Sequence, residues 1–271
     1  MTDAPLPPSS RRQAADLQHP TRRRWLGASL GLAGGGLLGL GGCGAASDDS
    51  SGSAYLRVMN ATQDYSTADF WVGSSKRFSA VANGGTATGY ALVGTGDVQL
   101  SLHASGSSTA KLSDTRTYDD ASYTSMVALG SLAEGMSFKG WSESTTQPSS
   151  GQVKLRVLHA SAMLSAVDVY LTTCSSSSCT DISLTSLTPQ FTLDSLGTLS
   201  DFLTLESLSW RIRITPKSTP STVLYDLSTG VDFASRSVIT LVMVPRTTGS
   251  SLPEIMALPE KASAVALANS L

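Results

Sequence analysis

Leu56–Val72 reads LRVMNATQDYSTADFWV, and Leu155–Leu171 reads LRVLHASAMLSAVDVYL. Laid one over the other without a gap, at an offset of 99, they share Leu56/Leu155, Arg57/Arg156, Val58/Val157, Ala61/Ala160, Ser66/Ser165 and Asp69/Asp168. Trp71 meets Tyr170, and Thr62 meets Ser161. Self-similarity at a fixed spacing marks a duplicated structural unit before any element is assigned. The match resumes at an offset of 112 between Leu112–Leu129 and Leu224–Leu241, pairing Asp114/Asp226, Asp120/Asp232, Ser125/Ser237 and Leu129/Leu241. The offset grows around Cys174–Cys179, which predicts an insertion in the second copy.

Within each copy the hydrophobic period is that of strands. Val153–Val157, Val98–Leu102 and Trp210–Ile214 alternate with period two, as half-buried strands do. Ser125–Leu129 and Ser237–Val244 are continuous apolar runs suited to central strands. Gly84-Gly85, Gly94, Gly96, Pro216, Pro220 and Gly230 punctuate them. About seven strands per copy are expected, in an all-β chain of two tandem immunoglobulin-like β-sandwich domains. The boundaries read as 54–141 and 152–258, joined by a polar linker at 142–151 (SESTTQPSSG) and followed by a tail at 259–271. Helical patterning is confined to a short run near Lys261–Leu271.

The N-terminus is read as an address. Residues 1–42 carry five Arg against Asp3 and Asp16, whereas the remainder carries 14 basic and 19 acidic residues. A basic, polar segment precedes the apolar but glycine-rich WLGASLGLAGGGLLGLGG (25–42), the order of a secretory signal. Eighteen residues, nearly half of them Gly, are too weakly apolar for the roughly 20-residue span a membrane helix needs. Thr21-Arg22-Arg23-Arg24-Trp25-Leu26 resembles a twin-arginine export motif, centred on Arg22 and Arg23. Leu40-Gly41-Gly42-Cys43 resembles a bacterial lipobox, which implies cleavage before Cys43 and acylation of its thiol, with 43–53 as a lipidated tether. Gly44 rather than Asp after the cysteine leans by resemblance towards the outer membrane of the cell envelope. With Cys43 consumed by lipid, Cys174 and Cys179 remain to form a local disulfide in an oxidising compartment such as the periplasm.

The openings Leu155-Arg156-Val157-Leu158-His159-Ala160-Ser161 and Ala166-Val167-Asp168-Val169-Tyr170 resemble the signature of the domain of unknown function 4397 family. The likeness covers about residues 54–258. It implies secreted or lipid-anchored β-sandwiches, often in tandem, and carries over no catalytic residue. Ala162-Met163 replaces the family's usual continuation after the serine, and Asn60 stands in the first copy where the signature has His.

Candidate chemistry is sparse. Strand parity turns His159, and Asn60 in the same place, towards the core as buried polar residues. Arg57/Asp69 and Arg156/Asp168 recur in both copies, which predicts a structural Arg–Asp pair in each, clamped as guanidinium and carboxylate can be. No Gly-x-Ser-x-Gly elbow, phosphate loop or metal-ligand spacing is present, so no catalytic residue, metal or cofactor is nominated. The mature part has no basic cluster of the kind that displaces counterions from nucleic acid. The sequence thus suggests a non-enzymatic structural, adhesion or ligand-binding module, with membrane contact through lipid and envelope proteins or glycans as partners. A secreted hydrolase or carbohydrate-active enzyme is the alternative.

Overall fold

The computed structural model describes residues 52–175, 179–246 and 252–271. The expected signal, with Arg22, Arg23 and Cys43, lies outside the described residues. From Ser53 onwards the chain is built of strands, and among the described residues the helical element is the 3-10 turn Leu184–Ser186.

Eight strands form the first half: β1 (Ser53–Thr62), β2 (Thr67–Val72), β3 (Ser75–Ala82), β4 (Ala91–Gly94), β5 (Gly96–Ala104), β6 (Ala110–Tyr118), β7 (Tyr123–Ser131) and β8 (Gly135–Ser142). Ten form the second: β9 (Gln152–His159), β10 (Val167–Thr173), β11 (Phe191–Leu193), β12 (Leu203–Glu206), β13 (Ser209–Pro216), β14 (Tyr225–Asp226), β15 (Val231–Asp232), β16 (Val238–Pro245), β17 (Pro253–Pro259) and β18 (Val265–Leu267). The first half pairs them as β4-β1-β7-β8 and β3-β2-β5-β6. The second pairs them as β12-β9-β16-β17-β18 and β11-β10-β13-β14, with β15 also on β13. The two orders correspond, with β15 and β18 additional in the second half. In each, the opening strand lies parallel to a strand late in its half, β1 to β7 and β9 to β16.

Alternation decides what each strand covers. Leu56 and Val58 of β1 meet Phe70, Leu100, Leu102 and Met126 in the first core. Val153, Leu155 and Val157 of β9 meet Val169, Ile212, Ile214 and Leu241 in the second. The opposite faces of these same sheets are apolar too. Met59, Ala61, Val127, Leu129 and Trp141 pack on Leu158, Val242, Val244, Met256 and Leu258 in a third core. The β4-β1-β7-β8 and β12-β9-β16-β17-β18 sheets therefore lie face to face, and the unit has four layers. Two-sided burial explains why β7 and β16 read as unbroken apolar runs.

Strand pairing also corrects the second repeat match. Arg57 stands opposite Ser125, and Arg156 stands opposite Thr240. Ser125 therefore corresponds to Thr240, three residues beyond the partner that the 112 offset assigns. The preceding turns agree: Ser122 Oγ donates to Asp119 O and Ser237 Oγ to Ala234 O, each at 2.6 Å. The C-terminal run is not helical. Val265–Leu267 pairs with Ile255–Ala257 as an edge strand, and Asn269 beyond it is buried, holding Leu224 O and Pro253 O. An unsatisfied sheet edge outweighs the weak intrinsic helix preference of a short alanine-rich run.

Cys174 and Cys179 form a disulfide, with Cα atoms 4.3 Å apart. Gly230 abuts it: a Cβ there would lie 2.8 Å from Cys179 Sγ and 2.9 Å from Cys174 Sγ, and its φ is +72°. Gly230→Ala is expected to lower stability by about 1–3 kcal/mol through left-handed strain and overpacking together. Thermal unfolding of the oxidised variant checks this, and an unchanged midpoint would show that the loop yields freely.

Candidate functional site

The residues singled out by the repeat are all placed by the structure, but not in the pairs expected. Asn60 and His159 are fully buried and do equivalent work. Asn60 Nδ2 donates to Tyr65 O at 2.9 Å and Val81 O at 3.1 Å, and His159 Nε2 lies 2.8 Å from Ser165 O. Each ties down the turn between the first two strands of its half. Burial lowers the His159 pKa, against the raising effect of that hydrogen bond, so the imidazole is neutral at pH 7.

The Arg–Asp pairs are not formed. Arg57 points to the other half of the molecule, where Nη1 and Nη2 donate to Ala262 O (2.8 Å) and Pro259 O (3.0 Å). Its Nη2 also meets Glu143 Oε1 at 2.8 Å, and its Nε donates to Ser125 Oγ at 2.6 Å. Arg156 crosses the same interface in the opposite sense. Its guanidinium lies over Trp141 of the first half, 5.3 Å from the ring centroid, and over Phe202 at 4.3 Å. Parity correctly separates these arginines from the core, but the face they leave is covered by the neighbouring half.

Asp69 and Asp168 instead anchor backbone. Asp69 receives Lys76 Nζ at 2.6 Å, Ala80 N at 2.8 Å and Gly106 N at 3.2 Å. Asp168 receives Thr192 Oγ1 at 2.6 Å and Ser218 N at 2.8 Å. In both halves the carboxylate joins the third strand to a left-handed residue in the turn after the fifth, Gly106 (φ 81°) or Ser218 (φ 60°). Among the described residues no three His, Cys, Asp or Glu side chains converge as a metal ion would require.

A site that the sequence did not nominate lies at one end of the second sandwich. The turn between β15 and β16, the turn between β17 and β18, and the connector at 145–147 enclose a cleft of about 860 Å³. Phe233, Val238, Ile239, Val265 and Leu267 give it apolar walls, and Glu260, Lys261 and Arg236 supply charge. The connector is not a loose tether. Glu143 is buried, Thr145 N donates to Glu260 Oε2 at 3.1 Å, and Lys154 Nζ donates to Thr146 O at 2.9 Å.

Glu260 is the unusual group of this cleft. Its Oε1 is buried without a hydrogen-bond partner, and so is Nη2 of Arg156, whose charge it feels. Burial raises the Glu260 pKa, with the nearby Glu143 acting in the same direction and Thr145 and Arg156 opposing. A mostly apolar concavity with a few convergent polar groups and a perturbed carboxyl is the ordinary form of a small-ligand site. The sequence signal for it was weak, because its parts come from a turn, a connector and a tail that are unrelated by any period.

The first half, with both repeat openings, answers a known family description. Residues 54–170 match the model of a domain of unknown function, DUF4397. The match runs through the first half and ends at Tyr170, inside the second repeat opening. No curated protein matches the chain. Among solved structures, a family CBM26 carbohydrate-binding module from Eubacterium rectale Amy13K, in complex with maltoheptaose, is 11% identical. It covers 78% of this chain and 97% of its own, at a TM-score of 0.24. A streptococcal virulence factor that binds alpha-glucan is 9% identical over 70% of this chain and 93% of its own, also at 0.24. Likeness at that level assigns no ligand.

Proposed function

We propose that this chain is a cell-envelope lipoprotein whose duplicated β-sandwich binds a ligand without transforming it. Twin-arginine-type export through Arg22 and Arg23, acylation at Cys43 and an outer-membrane address complete the reading, with the tether leading into β1 at Ser53. The observation that carries binding is the cleft with the unpartnered carboxylate oxygen of Glu260. Its preferred ligand has an apolar body and one N–H or O–H donor, because a buried acceptor left unpaired costs about 1–3 kcal/mol that such a donor recovers.

Titration calorimetry of the soluble mature protein against small amphiphiles bearing an amine or hydroxyl tests this. Saturable binding that Glu260→Gln weakens about tenfold is expected, a loss of about 1.4 kcal/mol. Binding indifferent to Glu260→Gln, or none at all, would remove the cleft as the site. The raised pKa of Glu260 is also what a general acid needs, so the same screen should follow turnover. Product formation abolished by Glu260→Gln would favour the hydrolase reading instead.

A further inference from the structure

The outer sheets of the two halves differ in what covers them. In the second half, the segment after Cys179 lies across the face of the β11-β10-β13-β14 sheet. Arg211 Nη1 donates to Thr180 O at 3.1 Å, and Arg213 Nη1 donates to Ile182 O at 2.7 Å and Asp181 Oδ1 at 3.1 Å. Arg211 is further clamped by Asp226 at 2.6 and 2.8 Å. The insertion therefore roofs this sheet with its own carbonyls and Asp181.

The first half has no such insertion. Strand register places Gln99 where the second half has Arg211, Ser101 where it has Arg213, and Trp71 where it has Tyr170. A row of side chains runs across the open face from Lys76 through Trp71 and Ser101 to Ser113, and Gln99 and Thr115 flank it. Trp71 and His103 stack at 5.1 Å between ring centroids, and Ser101 Oγ lies 2.9 Å from His103 Nε2. Two polar atoms on this face have no protein partner although both are buried: Trp71 Nε1 and His103 Nδ1. His103 is only 6% exposed, so its orphaned nitrogen is not simply a solvated surface atom.

We propose that this face, on β3-β2-β5-β6, is a saccharide-binding platform, with Trp71 as its stacking base, Gln99, Ser113 and Thr115 as its exposed hydrogen-bonding rim, and Ser101 and His103 buried beneath the ring. A sugar ring offers an apolar C–H face to an aromatic ring and hydroxyls to its surroundings. The platform offers the complement: one aromatic pair and a rim of mostly uncharged donors and acceptors. Lys76 Nζ, 5.9 Å from the Trp71 ring centroid, is paired with Asp69 at 2.6 Å, which leaves the edge of the platform with little net charge from this lysine. An apolar peptide would lack an apolar patch there. The second half keeps the sheet but has filled the equivalent place with its own insertion, so the first half alone presents it to solvent.

Titration of the mature protein with maltohexaose and with cellohexaose, by calorimetry and tryptophan emission, tests the assignment. Wild type should bind at least one, with a change in emission that Trp71→Phe abolishes. Trp71→Ala should weaken binding at least tenfold and His103→Ala about three- to tenfold, with Glu260→Gln leaving it unchanged. Circular dichroism of Trp71→Phe, which keeps the ring and loses the N–H, separates loss of contact from loss of fold. Failure of both sugars to bind, or binding unaffected by either Trp71 variant, overturns the platform. Binding lost in Glu260→Gln but retained in Trp71→Ala would place the sugar in the cleft, overturning the platform while supporting the cleft reading.

Discussion

Glu143→Ala is expected to cost about 3–5 kcal/mol and to lower Tm by roughly 10–15 °C. The Glu143 side chain is wholly buried, and that of Arg57 is 1% exposed. Its carboxylate takes Arg57 Nη2, Ser125 Oγ, Tyr90 Oη and the amide of Lys261. Burial, then the hydrogen bond to Glu143, push the Tyr90 pKa up, so the phenol remains a donor throughout the working range. Deleting the carboxylate leaves a buried guanidinium with its countercharge gone. Deleting the arginine leaves the reverse, and the penalty should be similar. The double variant Arg57→Met/Glu143→Leu should recover much of the loss, because an apolar pair removes both desolvated charges together. Urea unfolding of the two singles and the double gives the coupling energy. Glu143→Ala within about 1 kcal/mol of wild type would show that the network is not the clasp between the halves.

That clasp marks the limit of what the sequence discloses. Strand alternation is local, so Leu56, Val58, Leu155 and Val157 could be assigned to cores from their spacing alone, and the all-β class followed. The same parity put Arg57 and Arg156 on the other face. It could not say that this face meets another sheet, because the stacking of β1 and β9 sheets joins residues about two hundred positions apart, such as Arg57 and Pro259. The recurrence of Asp69 and Asp168 marks them as structural, but recurrence does not name their partners. Their partners are a lysine in one half and a threonine in the other, with main-chain amides that carry no sequence signal. Cys174 and Cys179 were legible because a disulfide needs only two cysteines and a suitable separation. The cleft was not legible, since Phe233, Glu260 and Val265 meet only when three connections converge. The platform was half legible: Trp71 and Tyr170 aligned in the repeat, but the difference between an open face and a roofed one lies in where the insertion folds.

Asp69→Asn should cost about 2 kcal/mol at pH 7, or roughly 4–8 °C in Tm, and the loss should depend on pH. Asp69 faces donors only: Lys76 Nζ, the amides of Ala80 and Gly106, and Ser105 Oγ. An ionised carboxylate accepts at both oxygens, whereas Asn turns one of them into a donor that points at another donor. Burial works to raise the Asp69 pKa, but the hydrogen bonds from Lys76, Ala80 and Gly106 and the Lys76 charge prevail, holding it at about 2 against an ordinary 3.8. A depressed folded-state pKa contributes stability that is fully present above the unfolded value and is lost as pH falls through the folded one. The gap in Tm between wild type and Asp69→Asn should therefore be flat from pH 7 to about 5, then close between about pH 4 and 2. Asp168→Asn provides the matched case in the second half, since it removes an acceptor from Thr192 and from the left-handed Ser218 amide. Its Tm should fall in the same direction at pH 7. A gap for Asp69→Asn that stays constant down to pH 2 would mean that the side chain acts by shape and not by charge. That outcome would sink the assignment of Asp69 as an ionised anchor of the turn.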